Sequence, residues 1–364
     1  MTDKQLERII HNHYIAKAGG QYIYNDIFTI KEFIKQIVDL ERGTIKKHNL
    51  PRYKIGLMFI CLNPPYWEFS REAILGARQY FLPDHDVEIM LWTDIPASTK
   101  FDDFKKAAEY LYEVEMGRLK QSNLSLDINK EKEIVDGINE AMNRSFEGAK
   151  IADTITKFET EPIEWPYPTL LRYNLFLNQE EYLKKFDYIF YCDLDMRFVN
   201  IVGDEVLGNG LTAAQHPMYA LRREYLPPYE PDNKSTAYIP RPGRVVTENG
   251  KPRFEPLYFA GGFQGGKTIK FIKAMKVMKQ NIDQDLKRGY VAIWNDESHW
   301  NKYLFENSPS VVLSPSYIYP DSLIKDYYVK IWGRDYPPKL VTLTKKFTTT
   351  IADGCEVRKK LETM

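Results

Sequence analysis

The chain has 364 residues, with 50 lysine and arginine residues against 50 aspartate and glutamate residues, so its formal net charge at pH 7 is zero. This balance excludes a general nucleic-acid-binding protein, because such proteins carry a basic surplus that meets the phosphates. A hydrophobic content of 43% and a charged content of 27% indicate one large α/β domain or two small ones, and exclude a disordered chain.

The cysteines and the N-terminus bear on the compartment. Cys61, Cys192 and Cys355 are widely spaced and odd in number, which predicts neither a disulfide framework nor a zinc site. The N-terminal sequence contains no signal-peptide core and no run of about 20 apolar residues. We therefore predict a cytoplasmic protein without a membrane span.

The first part of the chain divides at about residue 53. Residues 1–52 carry apolar side chains at helical spacing and predict a helical N-terminal extension. A strand over residues 55–62, a helix over 66–81 and a strand over 86–94 then form a βαβ unit, which predicts a parallel sheet. The loop after the first of these strands is a natural place for a nucleotide base.

A charged, helix-prone segment over residues 98–160 predicts an inserted helical element, or a pair of helices, at the rim of the sheet. The proline-rich residues 161–168 predict a loop. A single helix is then expected over residues 169–183, with Arg172 near its start.

Two carboxylates follow the next predicted strand. Residues 188–192 are continuously apolar, which is typical of a strand buried on both faces of a parallel sheet, and Asp193 and Asp195 come directly after it. Ligands of open α/β sheets bind beyond the carboxyl ends of the strands, and paired acids there suit a hard divalent cation. The alternative is that both residues only cap the strand and form a turn.

The second half of the chain continues the α/β pattern. Strands are predicted over residues 211–216, 257–266 and 311–315, and helices over 268–288 and from 293 onward. Four glycines near the end of the strand over 257–266 permit either close approach to a ligand or a tight strand-to-helix turn. Residues 331–364 predict a basic tail, which is either disordered or a flap over an anionic ligand.

Seven segments, taken in order, resemble glycosyltransferase family 6, which contains the blood-group A and B transferases, the α1,3-galactosyltransferase and bacterial relatives. They lie between about residues 54 and 320, and they are residues 55–59, 188–198, 215–217, 235–240, 258–266, 294–303 and 313–315. The resemblance implies a GT-A fold, with a Rossmann-like, mostly parallel central sheet flanked by helices. Residues 53–330 would form this catalytic domain.

The resemblance also implies an activity: metal-dependent transfer of GalNAc or Gal from a UDP-sugar to O3 of a galactoside, with retention of the α linkage. Asp193 and Asp195 would hold Mn²⁺, or Mg²⁺, against the diphosphate. Glu297 would act as a nucleophile or would stabilise an oxocarbenium-like transition state. Several bacterial members replace the Asp pair with Asn, whereas both acids are present here, so metal dependence is predicted.

The implied binding residues fall into two groups. Those on the donor side are Phe59, Cys61 and Tyr66 at the uridine, and Arg172, Asp296, Ala260, Gly261, Gly262 and either Lys345 or Lys346 toward the sugar and diphosphate. Those on the acceptor side are His216, Thr236, Trp294 and Glu297. Small residues over 260–262 favour UDP-GalNAc over UDP-Gal, because they leave room for an acetamido group.

Two other functions remain open at this stage. One is a glycan-binding module that kept the fold and lost the chemistry. The other is a metal-dependent nucleotidyltransferase, which also places paired aspartates at a strand end. The family's usual His before Asp296 is Asn295 here, which puts one hydrogen bond to the donor or acceptor in doubt. The acceptor and the oligomeric state are left open.

Overall fold

The structure is a computed structural model that describes residues 52–95, 113, 128–163, 166–220, 227–240, 244–248, 251–255, 257–321 and 336–343. Nearly all of the predicted N-terminal extension lies outside these residues, as do Lys345 and Lys346. In the described part of the chain, every helix is too short or too polar to cross a membrane.

Helices and strands alternate along most of the domain. The helices are α1 (Pro64–Trp67), α2 (Ser70–Tyr80), α3 (Ile128–Ala152), α4 (Tyr167–Leu170), α5 (Arg172–Leu177), α6 (Glu180–Leu183), α7 (Thr268–Lys287) and α8 (Asn295–Glu306). The strands are β1 (Lys54–Cys61), β2 (Asp86–Thr93), β3 (Thr156–Glu159), β4 (Tyr188–Cys192), β5 (Met196–Phe198), β6 (Leu211–Gln215), β7 (Arg244–Glu248), β8 (Lys251–Glu255), β9 (Phe259–Lys267), β10 (Val311–Leu313) and β11 (Leu340–Thr342).

The central sheet has seven strands in the order β10-β6-β9-β4-β1-β2-β3. Every neighbouring pair is parallel except the two that involve β9, which runs antiparallel to both β4 and β6. Two small antiparallel pairs, β5 with β11 and β7 with β8, complete the described strands. The predicted α/β fold with a mostly parallel sheet is confirmed, and it is consistent with a GT-A fold.

The sheet is buried on both faces. In β4, Tyr188, Phe190 and Cys192 join a core cluster that includes α2, whereas Ile189 and Tyr191 join a second cluster that includes α5 and α7. Because the side chains of a strand alternate between faces, a run covered on both sides must be continuously apolar. This requirement explains why β4 was recognisable from its sequence.

The direction of β9 was not predicted. After β6 the chain remains at the carboxyl edge of the sheet, without a described helix that returns it to the opposite edge. Strand β9 therefore starts where β6 ends and runs back, so Gly261 and Gly262 lie at its beginning. A Cβ atom on Gly265 would lie 2.5 Å from the Ile189 carbonyl oxygen, and one on Gly266, which has φ +131°, would lie 2.2 Å from the Gly210 carbonyl oxygen. This later pair of glycines permits close strand packing and the turn into α7.

Two predicted elements require correction. The single helix expected over residues 169–183 is divided into α4, α5 and α6, because the backbone leaves helical geometry at Leu171 and again at Gln179. The inserted segment contains the helix α3, but its last residues form the edge strand β3. This strand has four residues, all half-buried or exposed, so it shows no alternating pattern by which it could be recognised.

Part of the segment predicted as a basic tail belongs to the folded domain. Strand β11 pairs with β5, which directly follows Asp195. The Leu343 amide donates a hydrogen bond of 2.7 Å to the Asp195 carbonyl oxygen. Glu205 accepts hydrogen bonds from Lys339 and, at 2.6 Å, from the Tyr317 hydroxyl, so it fastens β11 to the body of the domain.

Candidate functional site

The candidate site lies where the carboxyl ends of β1, β2 and β4 meet the start of β9 and the first turn of α8. The Asp193 amide donates a hydrogen bond of 2.8 Å to the Gly262 carbonyl oxygen, which joins the end of β4 to the start of β9. Glu297 in α8 lies on the other side of the same glycine pair. The topology thus brings together residues separated by about a hundred positions, as the sequence predicted.

Asp193 is held from one side. Its Oδ1 accepts a 2.5 Å hydrogen bond from the Tyr191 hydroxyl and lies 3.6 Å from Nη2 of Arg172. Its side chain is 35% exposed. A Cβ atom on Gly262 would lie 2.9 Å from Oδ2, so the absence of a side chain there keeps space open beside that oxygen. One oxygen is therefore fixed and the other faces the space that Gly262 leaves.

The donor atoms fit a hard divalent cation that is shared with phosphate. Asp193 and Asp195 provide carboxylate oxygens, which Mg²⁺ and Mn²⁺ prefer. Within the described residues, no group of three or more His, Cys, Asp or Glu side chains is placed to hold a metal ion. Such an ion would therefore take its remaining ligands from phosphate and water, as Mg²⁺ commonly does.

Arg172 is buried among these groups. Its guanidinium stacks on the Tyr191 ring at 4.3 Å and donates a 3.3 Å hydrogen bond to the Gly261 carbonyl oxygen. Burial alone would lower the pKa of Arg172, but the charges of Asp296 and Asp193 raise it, so the guanidinium stays charged.

Asp296 pairs with this arginine without a hydrogen bond. Its Oδ2 lies 3.2 Å from Nε of Arg172, at an angle that leaves both buried atoms without a hydrogen-bond partner. Burial raises the pKa of Asp296 to about 7, against the lowering effect of Arg172. A buried donor and acceptor left unused at the same point are suited to a polar ligand.

Glu297 is fixed by both of its oxygens. Oε1 accepts a 2.8 Å hydrogen bond from the Tyr258 hydroxyl, and Oε2 accepts a 2.7 Å bond from the Gly261 amide. Burial raises the pKa of Glu297 to about 7, while these two hydrogen bonds lower it and the charges of Asp296 and Asp193 raise it further. The carboxylate is therefore oriented by two hydrogen bonds, and its burial makes it costly to ionise.

Two of the predicted acceptor-side residues, His216 and Trp294, are connected to Glu297 through other groups. His216 accepts a 3.2 Å hydrogen bond at Nδ1 from the Met218 amide, and its ring contacts the Tyr258 ring at 5.8 Å. Burial lowers the pKa of His216 to about 4, so the ring is neutral at pH 7, with its proton on Nε2. Trp294 precedes α8 and is 41% exposed. The Glu297 amide donates a 3.0 Å hydrogen bond to the Trp294 carbonyl oxygen, and His216 is connected to Glu297 through the ring of Tyr258.

Thr236 is placed differently from this group. Its amide donates to both carboxylate oxygens of Asp285, at 3.0 and 3.1 Å, and its hydroxyl donates to the Asn281 carbonyl oxygen at 3.0 Å. Both polar groups are thus bound to α7. Its acceptor role stays a prediction.

The predicted uridine residues lie at the end of β1. Phe59 and Cys61 have no exposed surface, and Tyr66 is half-buried. The Cys61 thiol donates to the Tyr66 carbonyl oxygen at 3.7 Å, and burial raises its pKa well above the ordinary value. Phe59 and Cys61 are therefore core residues of β1, and the contact of all three residues with uridine stays a prediction.

Two tyrosines of the candidate site were not predicted from the sequence. Tyr191 lies two residues before Asp193, and because strand residues two apart share a face, its hydrogen bond could have been anticipated. Tyr258 reaches Glu297 across 39 residues of chain, and no local pattern signals that contact.

Comparison with known proteins supports the resemblance. A glycosyltransferase family 6 model matches residues 173–332. Histo-blood group ABO system transferase 1 of Rattus norvegicus is 37% identical over 148 residues, which is 40% of this chain and 39% of that protein. Globoside alpha-1,3-N-acetylgalactosaminyltransferase 1 of Gallus gallus is 34% identical over 175 residues, which is 48% of this chain and 44% of that protein.

The alignment spans a larger share of a bacterial relative. O-antigen biosynthesis glycosyltransferase WbnI of Escherichia coli is 30% identical over 172 residues, which is 47% of this chain and 68% of that protein. By contrast, the alignments with the rat and chicken proteins span about two fifths of their length. The matched segments contain Asp193, Asp195 and Glu297, which the fold gathers at one edge of a mostly parallel sheet. On this basis, the chain belongs to glycosyltransferase family 6.

Proposed function

We propose that the protein is a metal-dependent, retaining glycosyltransferase that moves GalNAc or Gal from a UDP-sugar to O3 of a galactoside in α linkage. The observation that carries the proposal is the placement of Asp193 and Glu297 on either side of Gly261 and Gly262, around the buried Arg172. A leaving diphosphate beside Asp193 and a sugar beside Glu297 would use both carboxylates.

The charged residues around Asp193 support a binding site for the diphosphate of the donor. Asp193 and Asp195 would hold Mn²⁺ or Mg²⁺, and a bound ion supplies positive charge that stabilises the leaving phosphate oxygens. Arg172 adds a fixed positive charge on the protein side, because it is buried and held by Gly261 and Tyr191. Asp296 keeps an unused acceptor oxygen that suits a donor-sugar hydroxyl.

The fixed orientation of Glu297 supports its proposed action on the transferred sugar. Its ionised carboxylate stabilises positive charge at the anomeric carbon, either by direct bonding or by proximity alone. Tyr258 and the Gly261 amide hold the carboxylate in one position, so it need not reorient when charge develops. Its partial burial strengthens this electrostatic effect.

UDP-GalNAc is the favoured donor within this proposal. Ala260, Gly261 and Gly262 place little side-chain volume beside Asp193 and Glu297, which leaves room for an acetamido group. The chicken relative is named for N-acetylgalactosamine transfer. On the acceptor side, the exposed Trp294 and the neutral His216 suit the apolar face and a hydroxyl of a galactoside.

A donor and acceptor panel tests the proposal. UDP-GalNAc and UDP-Gal are each assayed against galactoside acceptors with Mn²⁺ and with EDTA, and α1,3-linked product is measured. Product with Mn²⁺ and at least a tenfold loss in EDTA are expected. Full turnover in EDTA contradicts the metal role of Asp193 and Asp195, whereas saturable glycan binding without turnover would favour a glycan-binding module. Pyrophosphate release from a nucleoside triphosphate would favour a nucleotidyltransferase.

A further inference from the structure

A strained turn follows β1 at the carboxyl edge of the sheet. Asn63 has φ 71° and ψ 143°, a conformation that residues other than glycine rarely adopt. Such a conformation persists only when its surroundings fix it. The contacts of Asn63 therefore show which part of the molecule determines the shape of this turn.

Asp94, at the end of β2, is the main anchor. Its Oδ2 accepts a 2.9 Å hydrogen bond from the Asn63 amide, and its Oδ1 accepts a 2.8 Å bond from Nε1 of Trp67. The Asn63 side chain in turn donates a 2.8 Å bond to the carbonyl oxygen of Ile163, beyond β3. One carboxylate thus binds both ends of the segment 63–67, which consists of Asn63 and the one-turn helix α1.

This turn lies beside the proposed donor site. In the sheet register, Cys61 is opposite Thr93, and Met58 in β1 is opposite Tyr191 in β4. The turn after β1 therefore emerges between Asp94 and Asp193, at the edge where α/β sheets bind nucleotides. Tyr66, which lies within the turn, donates its amide to the Asn63 carbonyl oxygen at 3.0 Å, so its position depends on Asn63.

We propose that Asp94 is a positioning residue of the nucleotide-base subsite, which holds the turn of residues 63–67 in the conformation that receives the uracil ring of UDP. The inference rests on the proposed function. Asp94 acts through the turn and does not itself contact the reacting atoms. The contacts that fix the strained conformation all come from the protein itself, from Asp94 and from the Ile163 carbonyl oxygen.

The chemistry requires a carboxylate at residue 94. Two N–H groups converge on it, and a carboxylate offers an acceptor oxygen to each. Asparagine has nearly the same shape but offers one carbonyl oxygen and one NH₂ group, which would face an N–H donor. Asp94→Asn therefore removes one hydrogen bond, introduces a repulsive contact and leaves the packing volume nearly unchanged.

A matched control lies on the same strand. Glu88, toward the opposite edge, accepts hydrogen bonds from the Thr156 hydroxyl at 2.8 Å and from the Tyr182 hydroxyl, so it also joins neighbouring elements. Glu88→Gln tests the loss of a structural carboxylate on β2 away from the site. A purely structural role for Asp94 would make the two variants behave alike.

The experiment measures UDP affinity by titration calorimetry with Mn²⁺, kcat and donor KM, and thermal stability for each variant. Asp94→Asn is expected to weaken UDP binding and to raise donor KM at least tenfold, with kcat at saturating donor within about threefold of the parent. Glu88→Gln should keep UDP affinity within twofold. Asn63→Gly in the Asp94→Asn background should recover part of the affinity, because glycine adopts this φ without strain.

Unchanged UDP affinity in Asp94→Asn, or an equal loss in Glu88→Gln, overturns the inference. If Asp94→Asn does not fold, Trp67→Phe provides the test, because it keeps a ring in place and removes the donor to Oδ1. An unchanged donor KM in that variant also overturns the inference. A parent protein that does not bind UDP contradicts the proposed function itself, so the two failures are distinguishable.

Discussion

In the proposed mechanism, Glu297 is the side chain that stabilises positive charge at the anomeric carbon. Glu297→Gln keeps the hydrogen bond to the Gly261 amide or to Tyr258 but removes the negative charge. We expect transfer to fall by roughly 10²-fold or more, the order found when one electrostatic contributor is removed. Donor affinity should stay within a few fold. Rates of product formation and UDP binding check this, and near-parental transfer would remove Glu297 from the mechanism.

The raised pKa of Glu297 predicts a rising pH profile. Burial brings that pKa to about 7, and the role proposed for Glu297 needs the ionised form. The value of kcat/KM reports the groups of the free enzyme, so it should increase with pH through about 7. Tyr258→Phe removes a hydrogen bond that lowers this pKa, so it should move the rise to higher pH. A profile that is flat between about pH 6 and 8 would contradict this assignment.

Raising the pH should lower the stability of the folded protein, whereas it should raise the activity. The pKa values of Asp296 and Glu297 are about 7 in the folded protein, against ordinary values of 3.8 and 4.5. Between these limits the folded state binds more protons than the unfolded state, so the free energy of unfolding falls as the pH rises. Denaturant unfolding at pH 5 and pH 7 measures the fall. Asp296→Asn should reduce the slope, and an unchanged slope in this variant would contradict the assignment.

Gly261 and Gly262 are adjacent in sequence, but each lies beside a different acidic residue. A Cβ atom on Gly262 would meet Asp193, whereas one on Gly261 would lie 3.3 Å from Cβ of Glu297. Gly262→Ala should reduce the preference for UDP-GalNAc over UDP-Gal by about tenfold, since small volume changes in a pocket give about 10- to 200-fold discrimination. Gly261→Ala should slow both donors alike. The ratio of kcat/KM values for the two donors separates these outcomes, and an unchanged ratio in Gly262→Ala would contradict the donor proposal.

At the scale of elements, β11 supports the turn that carries Asp195. The segment is fastened by Glu205, which accepts hydrogen bonds from Lys339, Tyr317 and the Gly203 amide. Glu205→Ala removes these charge-assisted bonds and should lower the free energy of unfolding by about 1–3 kcal/mol. The Mn²⁺ concentration for half-maximal activity should rise as well, because Asp195 loses support. An unchanged metal requirement would limit Glu205 to stability.

Elements differed in how well the sequence predicted them. Strand β4 and the acids after it were predictable, because a strand buried on both faces is continuously apolar and its end is marked by charge. The first turn of α8 was equally clear from its polar start. The division of residues 167–183 into short helices was not, because their apolar residues keep helical spacing across the breaks. Strand β11 has three residues and depends on its pairing with β5.

At the scale of the whole molecule, long-range topology decided what the sequence left open. Asp193, Arg172, Asp296 and Glu297 were predicted to share one site, and the fold places them close together, whereas their roles stay predictions. The reversed direction of β9 and the bond from Tyr258 to Glu297 were not predicted, because each depends on contacts between distant segments. Local patterns specify which residues carry charge at a strand end, whereas the connection between strands specifies which partners they meet.

Ligand binding should stabilise the whole domain. UDP with Mn²⁺ at a hundredfold excess over Kd is expected to add about 2.7 kcal/mol to the free energy of unfolding. Asp193→Asn combined with Asp195→Asn should abolish the part that depends on Mn²⁺. Asp187→Asn, at the opposite end of β4, is the control, since its carboxylate only accepts a hydrogen bond from the Lys54 amide among the described contacts. Equal loss in both variants would contradict a metal role for the pair.

The position of Gly262 has a consequence for how such an enzyme can change its donor. The space beside Gly262 that would admit the C2 substituent of the proposed donor also borders the proposed metal site. A Cβ atom on Gly262 would lie 2.9 Å from Oδ2 of Asp193 and 3.2 Å from the sulfur of Met196. Donor choice and affinity for the metal are therefore not separate traits in the proposed enzyme. A side chain selected at residue 262 for a smaller sugar would contact Oδ2 of Asp193, so the same mutation should also alter the cation requirement.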